Sequence, residues 1–366
     1  MPLDLVINGK FLCAGVTAVH RVAVELIVAI DNILLDSQAG EYQGARVELM
    51  VPRNADASRL SLAVVRTRVV GALTGAAWEQ FELPRHAGDR LILNLCNLGP
   101  VLKRRAMTLI HDAQVYMAPT SSSRRFQIWH KAIFALVGRR HLKILTVSEF
   151  SKSELTKFGI APAERIEVVH NGIDHVLAIS EEPKVLQRLN LLPNRYSLAL
   201  ASTKPHKNIP MLLAAFAKPL PSDQRLVLFG PAGKADFERF GVAVPPNVIF
   251  AGKVSDPELR SLMQAALCLL CPSLTEGFGL PPFEAMLLGT PAGVSKIPVF
   301  TELCGDAAVQ ADPLDPDCWV AAVTRFATDP AYRLHMAERG HAKASTFTWA
   351  RAARRLLELS ASASIQ

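Results

Sequence analysis

Pro272-Ser273-Leu274-Thr275-Glu276-Gly277-Phe278-Gly279-Leu280-Pro281-Pro282-Phe283-Glu284-Ala285-Met286 sets two glutamates eight positions apart, with a Gly-Phe-Gly turn and a Pro-Pro pair between them. Proline suits the first turn of a helix, where its missing N–H has no partner to lose. The segment therefore predicts a glycine turn that opens a helix near Pro281. It follows an apolar run, AALCLLC at 265–271, which reads as a buried strand. A strand, a glycine turn and a helix N-terminus together form a layout that binds anionic phosphate, because unpaired backbone N–H groups and the helix dipole point at the ligand. The carboxylates at its two ends can accept hydrogen bonds from sugar hydroxyls. The combination points to chemistry on a nucleotide-linked sugar.

The same order recurs outward from this segment. Half of the 366 residues are hydrophobic, and strand-length apolar runs alternate with helical periodicity. That pattern predicts α/β architecture with parallel sheets, and the length favours two domains. In the first half, residues 3–9, 45–51, 91–95, 107–110, 144–148 and 165–169 read as strands. Residues 18–35 read as a helix with Val19, Val22, Ala23, Leu26, Ile27 and Ile30 on one side. The alternation restarts with strands at 198–201 and 225–229, a strand and loop over 248–255, and a helix over 209–216. Polar residues 180–183 read as the linker. The expected division is 1–180, 181–345, and a C-terminal helix and tail over 346–366.

The chain carries 40 Lys and Arg against 33 Asp and Glu, a net charge of +7, and its first 180 residues hold 21 against 16. A basic surplus suits nucleic acid or an anionic membrane surface. No nucleic-acid-binding motif is present, so the membrane surface is the expected partner. Six cysteines stand at 13, 96, 268, 271, 304 and 318. Only Cys268 and Cys271 have C-x-x-C spacing, and they lie inside an apolar run with no second pair, so they read as small buried side chains rather than zinc ligands. Free cysteines predict a reducing cytoplasm. The N-terminus lacks a signal peptide's basic region, and no apolar run nears the roughly 18–20 residues that span a bilayer.

Candidate ligand residues cluster where strands give way to helices. Cys13-Ala14-Gly15-Val16-Thr17 is a glycine loop between the first strand and first helix, a phosphate site in many α/β folds. Ser202-Thr203-Lys204-Pro205-His206-Lys207-Asn208 puts two lysines at a strand-to-helix junction, which suits a diphosphate or, alternatively, a solvated basic loop. His111-Asp112 follows a strand end, where α/β folds place ligand groups; the alternative is a capping aspartate beside a packed histidine. Residues 124–140 form an expected helix that mixes arginines with Phe126, Trp129 and Phe134. It reads either as a membrane-interface helix or as a core-facing helix with a solvated basic face. Ser255-Asp256-Pro257-Glu258 is a helix start with a capping residue and an early proline.

Taken in order, these segments resemble family 4 of the retaining glycosyltransferases, which have the GT-B fold. The matching pieces are Val169-His170-Asn171-Gly172-Ile173-Asp174, Lys207-Asn208, Gly252-Lys253-Val254-Ser255-Asp256, the Glu276 to Glu284 stretch, and Gly305-Asp306-Ala307-Ala308 with Asp312-Pro313. They cover most of residues 145–315. Gly15-Val16-Thr17-Ala18-Val19-His20-Arg21 and His111-Asp112 match more loosely. The resemblance implies two Rossmann-like domains facing a cleft, the first on the acceptor side and the second binding the nucleotide sugar. It also implies a C-terminal helix, here from Phe347 onward, that crosses back to the first domain.

The resemblance also implies roles. Glu284 would bind the donor ribose and Glu276 the transferred sugar. Backbone amides at Phe278, Gly279 and Leu280 would approach sugar and phosphate. Lys207, with Ser202 in the same loop, would hold the diphosphate, and the Gly15 loop would close over it. Val254 would line the base pocket, and His111 would sit by the anomeric carbon. No metal or other cofactor is expected. The implied reaction is hexose transfer, mannose favoured, from GDP-mannose or a UDP-sugar to a lipid-linked glycan in cell-surface polysaccharide synthesis, at the inner membrane. Alternatives are a non-catalytic glycosyltransferase-like binding subunit and another GT-B enzyme such as a nucleotide-sugar epimerase. The chain departs from the family at His206 and Lys204, where an arginine and an acid are usual, and at Ala18 and His20. It also lacks the proline before Glu302.

Overall fold

The computed structural model describes residues 3–15, 17–36, 42–121, 123–221 and 223–365. They fall into two compact units, Met1–Gly172 with Thr348–Gln366, and Ile173–Phe347.

The first unit is built on a sheet of parallel strands, β1 (Asp4–Asn8), β2 (Arg46–Val51), β3 (Arg66–Val69), β4 (Leu91–Asn94), β5 (Ala106–Leu109), β6 (Lys143–Thr146) and β7 (Ile166–Val168), in the order β3-β2-β1-β4-β5-β6-β7. Residues 5–7 of β1 and 91–93 of β4 are apolar without alternation and buried, as expected for strands covered on both faces. The strand order reverses at β1 and β4, so the loops after their C-terminal ends occupy the switch point where α/β sheets place ligands. β3 (Arg-Thr-Arg-Val) is exposed at all four residues and gave no sequence signal. It is an edge strand that bears charge, a common guard against edge-to-edge pairing.

The C-terminal helix Trp349–Ile365 packs along the Ala18–Asp36 helix, and Arg355 pairs with Glu167 at 3.1 Å. The chain thus ends in the unit where it began. Gly172 allows this return, since a Cβ there would lie 2.2 Å from the Trp349 backbone nitrogen. A buried polar chain also links three strands of this sheet. Asn8 Nδ2 donates to Glu79 Oε1 and Asn94 Oδ1 at 2.9 Å each, Asn94 Nδ2 donates to Thr108 Oγ1 at 3.1 Å, and Thr108 Oγ1 is 2.7 Å from His141 Nδ1.

The second unit has parallel strands β8 (Tyr196–Leu200), β9 (Arg225–Phe229), β10 (Val248–Gly252), β11 (Cys268–Cys271), β12 (Ala292–Ser295) and β13 (Val309–Ala311), in the order β10-β9-β8-β11-β12-β13. Successive strand residues enter different cores, one holding Leu198, Val227, Leu262 and Met263 and the other Ala199, Leu226, Leu212, Phe216 and Trp319. Both faces are therefore covered. The apolar run at 265–271 divides, because its first residue ends the helix Asp256–Ala265 and the strand begins only at Cys268. Residues 180–183, read from sequence as a linker, lie on this unit. The Arg260 guanidinium donates to the carbonyls of Val176, Leu177 and Ile179, and Glu182 N donates to Ser261 Oγ at 2.8 Å. The chain passes from the first unit to the second between Gly172 and Ile173.

Candidate active site

β8 and β11 are neighbours at the point where the second sheet's order reverses, and each ends in a loop that carries candidate residues. After β8, residues 205–207 make one 3-10 turn. Asn208 then takes a left-handed conformation (φ 54°, ψ 32°) and the helix Ile209–Phe216 begins. The Asn208 side chain fastens this loop, donating to the Pro272 carbonyl at 3.1 Å and the Pro313 carbonyl at 2.8 Å. Leu274 N donates to the His206 carbonyl at 2.8 Å, a further link between the β8 and β11 loops. Ser202 is half-buried, and its hydroxyl accepts from Lys204 N at 3.3 Å.

After β11 the glycine turn forms as its sequence predicts. Gly279 sits at φ 87°, and a Cβ there would meet the Phe300 ring at 2.5 Å. The helix Leu280–Leu287 starts beyond it with Pro281 and Pro282 in its first turn. Phe278 is buried and packs with Phe283 and Phe347 at centroid distances of 5.2 and 5.4 Å, which anchors the turn from below. The first amides of a helix have no intrahelical acceptor, so this end offers donors and a positive dipole to an anion. Val254, after β10, is half-buried against the core beside Ser255, whose hydroxyl caps the Asp256–Ala265 helix.

Lys207 Nζ lies 2.6 Å from Glu276 Oε1, and Ser273 Oγ donates to the same oxygen at 2.7 Å. Burial alone would raise the Glu276 pKa, but the Lys207 charge and the bonds from Lys207 and Ser273 outweigh it and hold the carboxyl below its ordinary value. Glu284 is buried one helix turn past the prolines, and His175 Nε2 lies 3.4 Å from its Oε1. Burial, aided by the neighbouring Lys207, pushes His206 down to about 4, so the imidazole standing where an arginine is usual carries no charge at neutral pH. Lys207 and Glu276 thus meet between the loops that follow β8 and β11, and Glu284 lies buried in the helix that the second of these loops opens. Ser273 and His175 were missed in sequence, although Ser273 lies inside the diagnostic stretch and His175 directly follows the Asn-Gly-Ile-Asp turn.

In the first unit, His111 follows β5 and is buried, with Nε2 2.9 Å from the Leu95 carbonyl and its backbone N–H on Asn97 Oδ1 at 2.8 Å. Burial lowers its pKa to about 4, against the effect of the Leu95 bond. The ring is therefore neutral, Nε2–H donates to Leu95, and Nδ1 is left as an acceptor. Asp112 Oδ1 accepts from Gln114 N at 2.9 Å just ahead of the short helix Gln114–Met117, whose N-cap position is Ala113. Gly15 is exposed, and a Cβ there would meet nothing within 4 Å; its carbonyl is 2.7 Å from His20 Nδ1. Val16 of the same loop lies outside the described residues. In the Arg124–Arg140 helix Ile133, Phe134 and Val137 are buried, while Phe126, Ile128, Trp129 and Leu136 are exposed among its basic residues.

The profile for Glycosyl transferases group 1 matches residues 181–343, and that for Glycosyltransferase Family 4 matches residues 85–177. O-antigen chain mannosyltransferase B of Escherichia coli is 33% identical over 257 residues, which is 67% of this chain and 67% of that protein. Sucrose-phosphate synthase from Thermosynechococcus elongatus superposes with a TM-score of 0.73 at 16% identity, over 98% of both chains. Anabaena HepE, solved with UDP-glucose, gives 0.73 at 18% identity over 98% of this chain and 100% of that one. Two profiles, a relative of this identity and coverage, and two all-parallel Rossmann-like sheets agree: the chain belongs to family 4 of the glycosyltransferases, with the GT-B fold.

Proposed function

We propose that this glycosyltransferase moves mannose, with retention of anomeric configuration, from GDP-mannose to a lipid-linked glycan during cell-surface polysaccharide assembly. The observation that carries the donor class is the pairing of Lys207 with Glu276 beside the N-terminus of the Leu280–Leu287 helix, which also holds the buried Glu284. The relatedness to an O-antigen mannosyltransferase supports mannose and a lipid-linked acceptor. A UDP-sugar is the second reading of the donor, favoured by the likeness in fold to a protein solved with UDP-glucose.

Cleavage of the sugar–phosphate bond leaves extra negative charge on a nucleoside diphosphate. Lys207 and the amides from Phe278 to Leu280 stabilise that charge, without the need for a metal. Glu284 accepts the ribose hydroxyls and Glu276 the sugar hydroxyls, neither acting as a covalent nucleophile. Val254 lines the base pocket, and Ser202 contributes to the diphosphate site. His111 offers Nδ1 to a sugar hydroxyl. The leaving phosphate takes the acceptor proton on the face it departs from, which retains configuration.

The acceptor implies a membrane-bound place of work, on the cytoplasmic face of the inner membrane. Among the described residues, no helix is long and apolar enough to cross a bilayer. The Arg124–Arg140 helix supplies the surface, with Phe126, Ile128 and Trp129 exposed beside Arg124, Arg125, Arg139 and Arg140. Incubation with labelled GDP-mannose and extracted bacterial lipid-linked glycan tests the transfer, and NMR of the product anomer tests retention. Sedimentation with anionic liposomes at low salt should retain the protein, and Trp129→Glu should release it; a protein that stays in the supernatant refutes the membrane assignment.

A further inference from the structure

We propose that the Lys207–Glu276 ion pair is exchanged on ligand binding, so that the site prefers an intact sugar nucleotide to the spent nucleoside diphosphate. The inference rests on the reading of Lys207 as the diphosphate ligand and Glu276 as the sugar ligand.

In the structure the two groups are joined at 2.6 Å, with Ser273 Oγ also on Glu276 Oε1 at 2.7 Å. The Lys207 side chain is 22% exposed and that of Glu276 10%, so the carboxylate is the more deeply buried partner. Each group has a separate task in the bound state. The diphosphate takes the ammonium, and the sugar hydroxyls take the carboxylate.

A nucleoside diphosphate can complete only half of this exchange. It draws Lys207 away and leaves a buried carboxylate short of its cation, which is strongly unfavourable. His206, buried in the same loop, is uncharged near neutral pH and does not replace the lost charge. An intact donor brings hydroxyl groups to Glu276 as its phosphates reach Lys207, so both halves are satisfied together. Glu276 therefore competes with the diphosphate for Lys207, and the attached sugar relieves the competition. After transfer the sugar is gone, the pair re-forms, and the product is expelled.

Calorimetric titration with GDP and GDP-mannose, and with UDP and UDP-glucose, tests this on the full chain. Glu276→Gln should tighten the nucleoside diphosphate about fivefold and weaken the sugar nucleotide about tenfold, each factor of ten being about 1.4 kcal/mol. Lys207→Met should weaken both, and Glu276→Gln added to it should no longer tighten the nucleoside diphosphate. Glu276→Ala repeats the comparison, and melting curves verify that each variant is folded. If Glu276→Gln shifts both ligands in the same direction while Glu284→Ala still weakens both, the exchange is wrong and the donor site stands. If neither Lys207→Met nor Glu284→Ala weakens any of the four ligands, the donor site itself is wrong and the proposal goes with it.

Discussion

Asn208→Ala should destabilise the second unit and loosen the phosphate clamp. Asn208 adopts φ 54° and ψ 32°, a left-handed conformation in which alanine is penalised by about 1 kcal/mol. Its Nδ2 also donates to the carbonyls of Pro272 and Pro313 at 3.1 and 2.8 Å. Each such bond contributes about 1 kcal/mol net. The three effects sum to about 3 kcal/mol. For a unit of this size each kcal/mol lowers the melting temperature by roughly 2–4 °C, so a fall of about 6–12 °C is expected. Asn208→Gly removes the same two bonds but accepts the left-handed conformation, so it should recover about a third of the loss. Scanning calorimetry of both variants measures the difference, and titration with GDP and UDP should show at least tenfold weaker binding for Asn208→Ala. A melting temperature within 2 °C of the parent for Asn208→Ala, or equal losses for the two variants, would refute the reasoning.

Gly279→Ala should impair both folding and donor binding, because the new Cβ would meet the Phe300 ring at 2.5 Å in a conformation, φ 87°, that side chains rarely adopt; a cost of about 2 kcal/mol or more is expected in denaturant melts, and combined with Phe300→Ala, itself costly because the ring is buried, the double variant should lose less than the sum of the two single losses. Stability should rise with pH between about 4 and 6.5. Burial pushes His111, His141 and His206 each from 6.5 down to about 4, so in that window the unfolded chain binds protons that the folded chain does not. Above 6.5 this dependence should vanish, and His206→Gln should make the slope shallower; a melting temperature flat from pH 4 to 7 would contradict it. Glu276, a carboxyl with a lowered pKa, adds to the same trend at lower pH: its contribution is present above 4.5 and is lost as pH falls through its folded value.

Much of the fold is legible because both sheets are parallel and covered on both faces, so their strands are continuous apolar runs between helical stretches. The Leu280–Leu287 helix is legible for a local reason, since a glycine at positive φ followed by two prolines admits few alternatives. β3 escapes notice because an exposed edge strand need not be apolar. The strand at 268–271 is blurred because an apolar helix end runs directly into it. In the site, Glu276 and Glu284 announce themselves by spacing. Their partners do not: Ser273 and Lys207 meet Glu276 only through the fold, and His175 reaches Glu284 across more than a hundred residues. The chain from Asn8 through Asn94 and Thr108 to His141 is equally hidden, because each member alone looks like an isolated polar residue at the end of a strand or helix.

The most direct measurement is release of nucleoside diphosphate from a panel of nucleotide sugars by the parent chain, Glu284→Ala and Lys207→Ala, with lipid-linked glycan present. Each substitution removes a charged contact that contributes several kcal/mol, and every 1.36 kcal/mol is a factor of ten in rate. The account predicts turnover of at least one donor, GDP-mannose first, and a loss of more than about 100-fold in kcat/KM for each variant. Activity of both variants within about tenfold of the parent would contradict it.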